Sequence, residues 1–145
     1  MLHISKFLGC DSTSSFHGYS KVSCWKALVN DPISVTVLTT MGTEFSFDEH
    51  FANEVEAAVC KLYKAKNETS VNVLRYNMFR LGKFSDSSLP PNKDCLVKHI
   101  QRANYQAAVW KRSTSCSIDA PNPVSHGWML NPQGEIEILW MDVNC

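Results

Sequence analysis

Residues 92–112 read NKDCLVKHIQRANYQAAVWKR, and this stretch decides the fold class. Its apolar side chains recur at spacings of four and three residues, which places them along one stripe of an α-helix. The stripe consists of Leu96, Ile100, Ala103, Ala107 and Trp110. Asn92 is a suitable N-cap, so we predict a helix over 93–112. Lys98 and Arg102 fall on the opposite face, which predicts contact with solvent.

The segments nearer the start of the chain also carry helical signals. Residues 21–30 have Val22, Trp25, Leu28 and Val29 at helical spacing, and Asp31-Pro32 should end that helix. Residues 33–41 (ISVTVLTTM) are ambiguous. Their β-branched side chains favour a strand, whereas their position between helices favours another helix.

Two further helices are expected before the long one. Ser46 and Glu49 fit a capping box, with Ser46 as the N-cap. The helix that follows should bury Phe51, Val55, Val59 and Leu62. The next apolar stripe comprises Val71, Leu74, Met78 and Leu81, and Gly82 with the polar stretch after it should break the chain.

The end of the chain reads as a β-hairpin. Residues 128–130 and 135–140 resemble strands, and Asn131-Pro132-Gln133-Gly134 between them suits a tight turn. We therefore predict a mainly α-helical domain with a small C-terminal β-hairpin. The organisation expected is a helix-turn-helix segment over 1–32, a helical region over 33–112, and a loop with the hairpin over 113–145. The pattern also suggests that the chain is truncated at both ends.

Composition narrows the function classes. The chain has 145 residues, 44% of them hydrophobic, which is enough for one domain with its own core. Fourteen basic and fourteen acidic residues cancel, so a nucleic acid contact would need a local patch. The six cysteines show no CxxC spacing, and no signal peptide or membrane span is evident. We expect reduced thiols in an intracellular protein, nuclear or cytoplasmic, with no membrane and no small-molecule cofactor.

One segment carries a pattern with chemical meaning. It runs through Phe7-Leu8-Gly9-Cys10-Asp11, Ser14-Ser15-Phe16-His17-Gly18-Tyr19-Ser20-Lys21 and Trp25-Lys26-Ala27-Leu28. These residues resemble the flap endonuclease family of the PIN-like nucleases. In that family an apolar helix ends in Leu-Gly-(Ser/Cys)-Asp, and a glycine turn with an amphipathic helix follows seven residues after the aspartate.

The resemblance implies roles for particular residues. Asp11 would be a ligand of Mg²⁺, which prefers carboxylate oxygens. Gly18, Tyr19, Ser20 and Lys21 would hold a phosphate at the start of a helix. This chain departs from the family pattern because Ser20 replaces the second glycine, the proline is absent, and Lys21 comes one position early. The family's other carboxylate ligands lie upstream of Asp11, where this chain has ten residues and no acid.

A second resemblance covers most of the chain. The motifs Leu74-Arg75-Tyr76, Leu89-Pro90-Pro91, His99-Ile100-Gln101-Arg102-Ala103 and Gly127-Trp128 look like segments of animal proteins derived from mobile elements. In that group the same motifs occur in the same order after a Gly-Cys-Asp segment. The resemblance indicates ancestry rather than a defined activity.

Two functional hypotheses follow. The first is a fragment of a mobile-element-derived, flap-endonuclease-like protein, with Mg²⁺-dependent cleavage of structured DNA by ancestry and weak or no cleavage by this chain. The second is a non-catalytic protein- or nucleic-acid-binding module on the long helix, with Lys98 and Arg102 at its surface.

Other residues have simpler structural explanations. His99 is expected to be a partly buried structural histidine. A pairing of Cys24 with His17 is not decided by sequence. Trp110, Trp128 and Trp140 are expected in the core.

Overall fold

A computed structural model describes Phe7, Phe16 and residues 18–65 and 67–141. In this part of the chain there are five α-helices and two short strands. The elements are α1 (Lys21–Leu28), α2 (Pro32–Thr40), α3 (Glu49–Leu62), α4 (Val71–Arg80), α5 (Lys93–Lys111), β1 (Trp128–Leu130) and β2 (Ile136–Ile138). The predicted fold class, mainly α with a small C-terminal hairpin, is confirmed. The helix predicted near residues 2–8 lies outside the described residues apart from Phe7, which is helical.

Helices α1 and α2 begin at side-chain caps. Ser20 accepts a hydrogen bond from the Ser23 amide, and Asp31 accepts one from the Ser34 amide, with Pro32 in the first turn of α2. The ambiguous stretch 33–41 is therefore helical through Thr40, because a cap and an N-terminal proline favour a helix strongly enough to outweigh its β-branched residues.

The apolar face predicted for α1 was partly wrong. Val22 and Val29 are exposed, while Cys24 and Leu28, four residues apart, are buried. A cysteine thus takes the inward position that the hydrophobic pattern assigned to valine, as free cysteine often does.

Helix α3 is the centre of the helical body, because α1, α2, α4 and α5 all pack against it. Asp48, rather than the predicted Ser46, is its N-cap and accepts from the Phe51 amide over 2.9 Å. Glu49 therefore opens the helix instead of completing a capping box. Of the four predicted apolar residues, Val55, Val59 and Leu62 are buried and Phe51 is half-buried.

Helix α4 takes its cap from a neighbouring helix. Ser70 makes no side-chain capping bond, and the buried Glu56 of α3 accepts from the Val71 amide over 2.9 Å. The same carboxylate pairs with Lys93 Nζ at 3.2 Å, so Glu56 joins α3, α4 and the start of α5. Val71 and Leu74 are buried as predicted, whereas Leu81 lies beyond the helix and is exposed.

Helix α5 follows the predicted pattern most closely. Asn92 caps it by accepting from the Cys95 amide, and Leu96, Ile100, Ala103 and Ala107 are buried. Trp110 was predicted in the stripe but is exposed, because it lies in the last turn, beyond the body of the core. The prediction that Arg102 faces solvent was wrong, since this side chain is fully buried.

The hairpin is antiparallel and pairs Trp128 with Ile138 and Leu130 with Ile136. Asn131 closes the turn as predicted, since its side chain accepts from the amides of Gln133 and Glu135. Trp128 is buried as predicted. Trp140 was also predicted in the core, but it is exposed. Among the helices described here, none is both long and apolar enough to cross a membrane.

Candidate nucleic-acid interface

The turn before α1 is open to solvent. Gly18 has a φ of +78°, and a Cβ added there would meet no atom within 4 Å. Ser20 then adopts an extended conformation and caps α1. The first amides of an α-helix have no intrahelical acceptor, so the N–H groups of Lys21 and Val22 point out of the helix start. The arrangement thus gives an exposed glycine followed by outward-pointing amides.

The charged side chains between Gly18 and Asn30 are both lysines. The first turn of α1 contains no acidic residue, and Lys21 is exposed. From Gly18 to Asn30 the sequence has Lys21 and Lys26 and no carboxylate. A helix N-terminus carries a partial positive charge that proteins commonly offset with an acid. Here a lysine adds to that charge, which favours an anion at this position.

Tyr19 contributes packing rather than an exposed contact. Its ring lies against the Tyr63 ring with centroids 4.9 Å apart, which joins the start of α1 to the end of α3. Burial raises the pKa of both phenols, so both stay protonated near neutral pH. Lys64, next in sequence to Tyr63, is exposed and has a φ of 64°. The Tyr19–Tyr63 contact therefore fixes the start of α1 against the end of α3.

Asp11, the metal ligand that the resemblance implies, lies outside the described residues, as do Cys10 and His17. Phe7 and Phe16, on either side of Asp11 in the sequence, are described. Their rings are 5.5 Å apart, and both lie against His99 of α5 at 5.2 and 5.1 Å. His99 Nε2 is 2.6 Å from the Phe7 carbonyl oxygen, which can only accept, so this nitrogen carries the proton. The prediction that His99 is structural agrees with these contacts.

Cys24 does not have the environment of a reactive thiol. It is buried, and desolvation raises its pKa, which favours the neutral form. Cys24, Cys60, Cys95 and Cys116 are all free thiols.

The cations of the long helix are engaged within the fold. Arg102 Nη1 donates to the carbonyl oxygens of Gly127 at 2.9 Å and Leu139 at 2.7 Å, so this residue holds the hairpin. Lys111 donates to the carbonyl oxygen of Thr39 in the last turn of α2, and Arg112 donates to that of Gly42 in the loop that follows. Arg102 is therefore not exposed for contact with a nucleic acid, and Lys98 is half-buried.

The residues described here do not provide a Mg²⁺ site. Among them no group of three or more His, Cys, Asp and Glu residues could hold a metal ion. Asp48, one of the acids that follow the glycine turn, uses its carboxylate to cap α3.

Sequence reasoning missed an aromatic surface on α4. Tyr76 and Phe79 were not assigned to any apolar stripe, and both are strongly exposed. The composition of residues 71–84 could have indicated this surface, because the segment contains Arg75, Arg80 and Lys83 and no acid.

Comparison with known proteins gives no relative for this chain: no family model matches it, and no match is found among curated proteins or solved structures.

Proposed function

We propose that this chain binds the phosphate backbone of nucleic acid at the start of α1, and that it descends from a flap-endonuclease-like, mobile-element-derived protein. The observation that carries the binding proposal is the positive end of α1, whose first turn contains no acidic residue. An open glycine turn, outward-pointing amides and Lys21 coincide there, without an acidic residue in the first helical turn.

The zero net charge of the chain agrees with a local contact. A chain without net charge is not attracted to DNA non-specifically in the way that a basic domain is. Binding would instead depend on a few cations and amides at one place. Affinity for a labelled DNA should therefore be modest, and the loss of Lys21 alone should lower it measurably.

Fluorescence anisotropy of a labelled 5′-flap DNA duplex tests this proposal. We expect Lys21→Ala to weaken binding about two- to fivefold, since one charge at a helix terminus contributes about 0.3–1 kcal/mol. The dependence of log K on log salt should also become shallower by about one.

Lys26→Ala is the matched control, because Lys26 is an exposed lysine in the last turn of the same helix. We expect this variant to bind nearly as wild type does. Equal losses for Lys21→Ala and Lys26→Ala would refute a site at the helix start, and so would an unchanged affinity for Lys21→Ala.

Cleavage is a separate proposal that rests on the resemblance of about residues 3–30. We propose that any cleavage by this chain is Mg²⁺-dependent and uses Asp11, and we expect weak or no cleavage because the described residues supply no carboxylate cluster. Incubation of the same flap duplex with Mg²⁺ or Mn²⁺, with wild type beside Asp11→Ala, checks it. Cleavage that persists in Asp11→Ala would exclude Asp11 as the ligand.

A further inference from the structure

Helix α4 presents two aromatic rings to solvent. Tyr76 is 61% and Phe79 66% exposed, and three positions apart they lie on the same helix face. Phe84, just beyond the helix, is exposed as well. Contiguous exposed apolar surface marks interaction sites more often than singly scattered residues do, which makes this face a candidate binding surface. We refer to Tyr76, Phe79, Arg80, Lys83 and Phe84 as the α4 ridge.

Cations accompany the rings. Arg80 lies over the Tyr76 ring, with its guanidinium carbon 5.7 Å from the ring centroid, and Lys83 follows at the end of the helix. Arg75, on the same helix, is half-buried and donates to the Pro90 carbonyl oxygen. Residues 71–84 contain these three cations and no carboxylate, in a chain whose total charge is zero. The local charge therefore favours a polyanion over a neutral or basic partner.

The ridge borders a groove of about 470 Å³. The groove is lined by Asn72, Arg75, Tyr76, Phe79, Asp86 and Leu89. Asp86 stands in the turn after the helix and would repel a phosphate. Phosphates would consequently lie along Arg80 and Lys83, while a planar, uncharged group occupies the groove beside Tyr76 and Phe79.

We propose that the α4 ridge binds single-stranded nucleic acid, with bases stacked on Tyr76 and Phe79 and phosphates held by Arg80 and Lys83. Aromatic faces interleaved with cations are the means by which proteins bind single strands without reading sequence. A duplex hides its bases within the stack, so it cannot use these rings. The proposal is independent of the role of Lys21, because it concerns another surface and another form of nucleic acid.

The test is the anisotropy of a labelled oligothymidine, with a duplex of the same length for comparison. We expect Phe79→Ala to weaken binding of the single strand by about 5- to 150-fold, which corresponds to about 1–3 kcal/mol per stacked base. Duplex binding should be unchanged. The loss of single-strand affinity that Phe79→Ala causes should be the same with and without the Lys21→Ala substitution, whereas Lys21→Ala alone should weaken duplex binding, so that failure at the α1 site and failure at the ridge are separable.

Three further variants make the test specific. Ile33→Ala is the matched control, since Ile33 is 66% exposed on α2, away from the ridge. Phe79→Trp should keep single-strand affinity and Phe79→Leu should lose it, because stacking requires a ring whereas a generic apolar contact accepts leucine. Phe79 is exposed, so these variants should fold, and circular dichroism checks this.

Two outcomes would overturn the proposal. One is equal affinity of wild type and Phe79→Ala for the oligothymidine, or none for either. The other is self-association of the chain, seen by analytical ultracentrifugation, that Phe79→Ala and not Ile33→Ala abolishes without any effect of the oligonucleotide. That second result would assign the ridge to a contact between copies of the chain.

Discussion

The guanidinium group of Arg102 is buried, since the side chain is 0% exposed. Burial lowers its pKa to about 10, which still leaves it charged near neutral pH. Its Nη1 atom donates to two carbonyl oxygens of the hairpin region, and its guanidinium carbon is 5.5 Å from the Trp140 ring centroid. A single side chain on α5 thus positions the hairpin.

We predict that Arg102→Met lowers the free energy of unfolding by about 2–4 kcal/mol, because the carbonyl oxygens of Gly127 and Leu139 lose their donor. Urea unfolding measures this. Arg80→Met is the control, since Arg80 is exposed on α4, and it should change stability by less than about 0.5 kcal/mol. A stability of Arg102→Met equal to that of wild type would contradict the tethering role.

His99 makes stability depend on pH. Burial lowers its pKa from 6.5 to about 4, so the folded state keeps the ring neutral while the unfolded state binds a proton below about pH 6.5. The stabilisation is complete above pH 6.5 and is lost as pH falls to 4. We expect His99→Gln to remove about 3 kcal/mol of this dependence, measured by urea unfolding at pH 7 and pH 4. Parallel losses in both proteins would contradict the prediction.

At the scale of elements, the helix ends decide where each helix begins. Asp31, Asp48 and Asn92 cap α2, α3 and α5 locally. Helix α4 differs, because Glu56 of α3 supplies its cap only after the two helices have packed. Helix α4 is therefore expected to depend on α3 more than the other helices do.

The two candidate caps of α3 can be compared directly. We expect Asp48→Ala to destabilise the protein by about 1 kcal/mol, since the Phe51 amide loses its acceptor. Ser46→Ala, two residues earlier and outside the helix, should have almost no effect. Thermal unfolding followed by circular dichroism distinguishes them, and a larger effect of Ser46→Ala would reinstate the capping box that the sequence suggested.

At the scale of the whole molecule, Asn104 joins parts of the chain that are far apart in sequence. This buried residue of α5 accepts from the Gly42 amide over 2.7 Å and donates to the carbonyl oxygens of Glu44 and Phe45. The loop after α2 lies so close to α5 that a Cβ at Gly42 would come within 2.5 Å of the Ala107 carbonyl carbon. Asn104 therefore holds the α2–α3 connection against α5 by hydrogen bonds.

We predict that Asn104→Leu costs about 2–4 kcal/mol, because the Gly42 amide is left buried without an acceptor. Hydrogen exchange should show loss of protection at Gly42. Asn77→Leu, an exposed asparagine on α4, is the matched control and should be close to neutral. Equal changes in the free energy of unfolding for both substitutions would show that Asn104 does not hold the α2–α3 connection against α5.

Much of the fold could be predicted because its signals are local. The stripe from Leu96 to Ala107, the Asn92 cap and the Asn131–Gly134 turn each depend on a few neighbouring residues. Choices between neighbouring candidates were less certain. Ser46 and Asp48 are both good caps, and Val22 and Cys24 both suit an inward position, so only packing separated them.

The candidate site could be predicted only in part. Gly18, Ser20 and Lys21 lie at a helix start as the motif indicated, because a glycine and a capping serine are signals that act over a few residues. Arg102 was predicted to be exposed because helical periodicity indicates the face on which a residue lies, but not whether another element covers that face. Tyr76 and Phe79 were missed for the converse reason, since periodicity does not reveal a face that stays uncovered.

The sequence by itself determined α1, α3, α4 and α5, most of their ends and the hairpin, because 3.6-residue periodicity, caps and turn residues act within a few positions of the chain. Only the tertiary structure decided the roles of Glu56, Arg102 and Asn104. Each is a buried polar group that must find hydrogen-bonding partners, and those partners lie 15, 25 and 62 residues away. No local pattern encodes such distances, because packing brings these groups together only when the helices assemble.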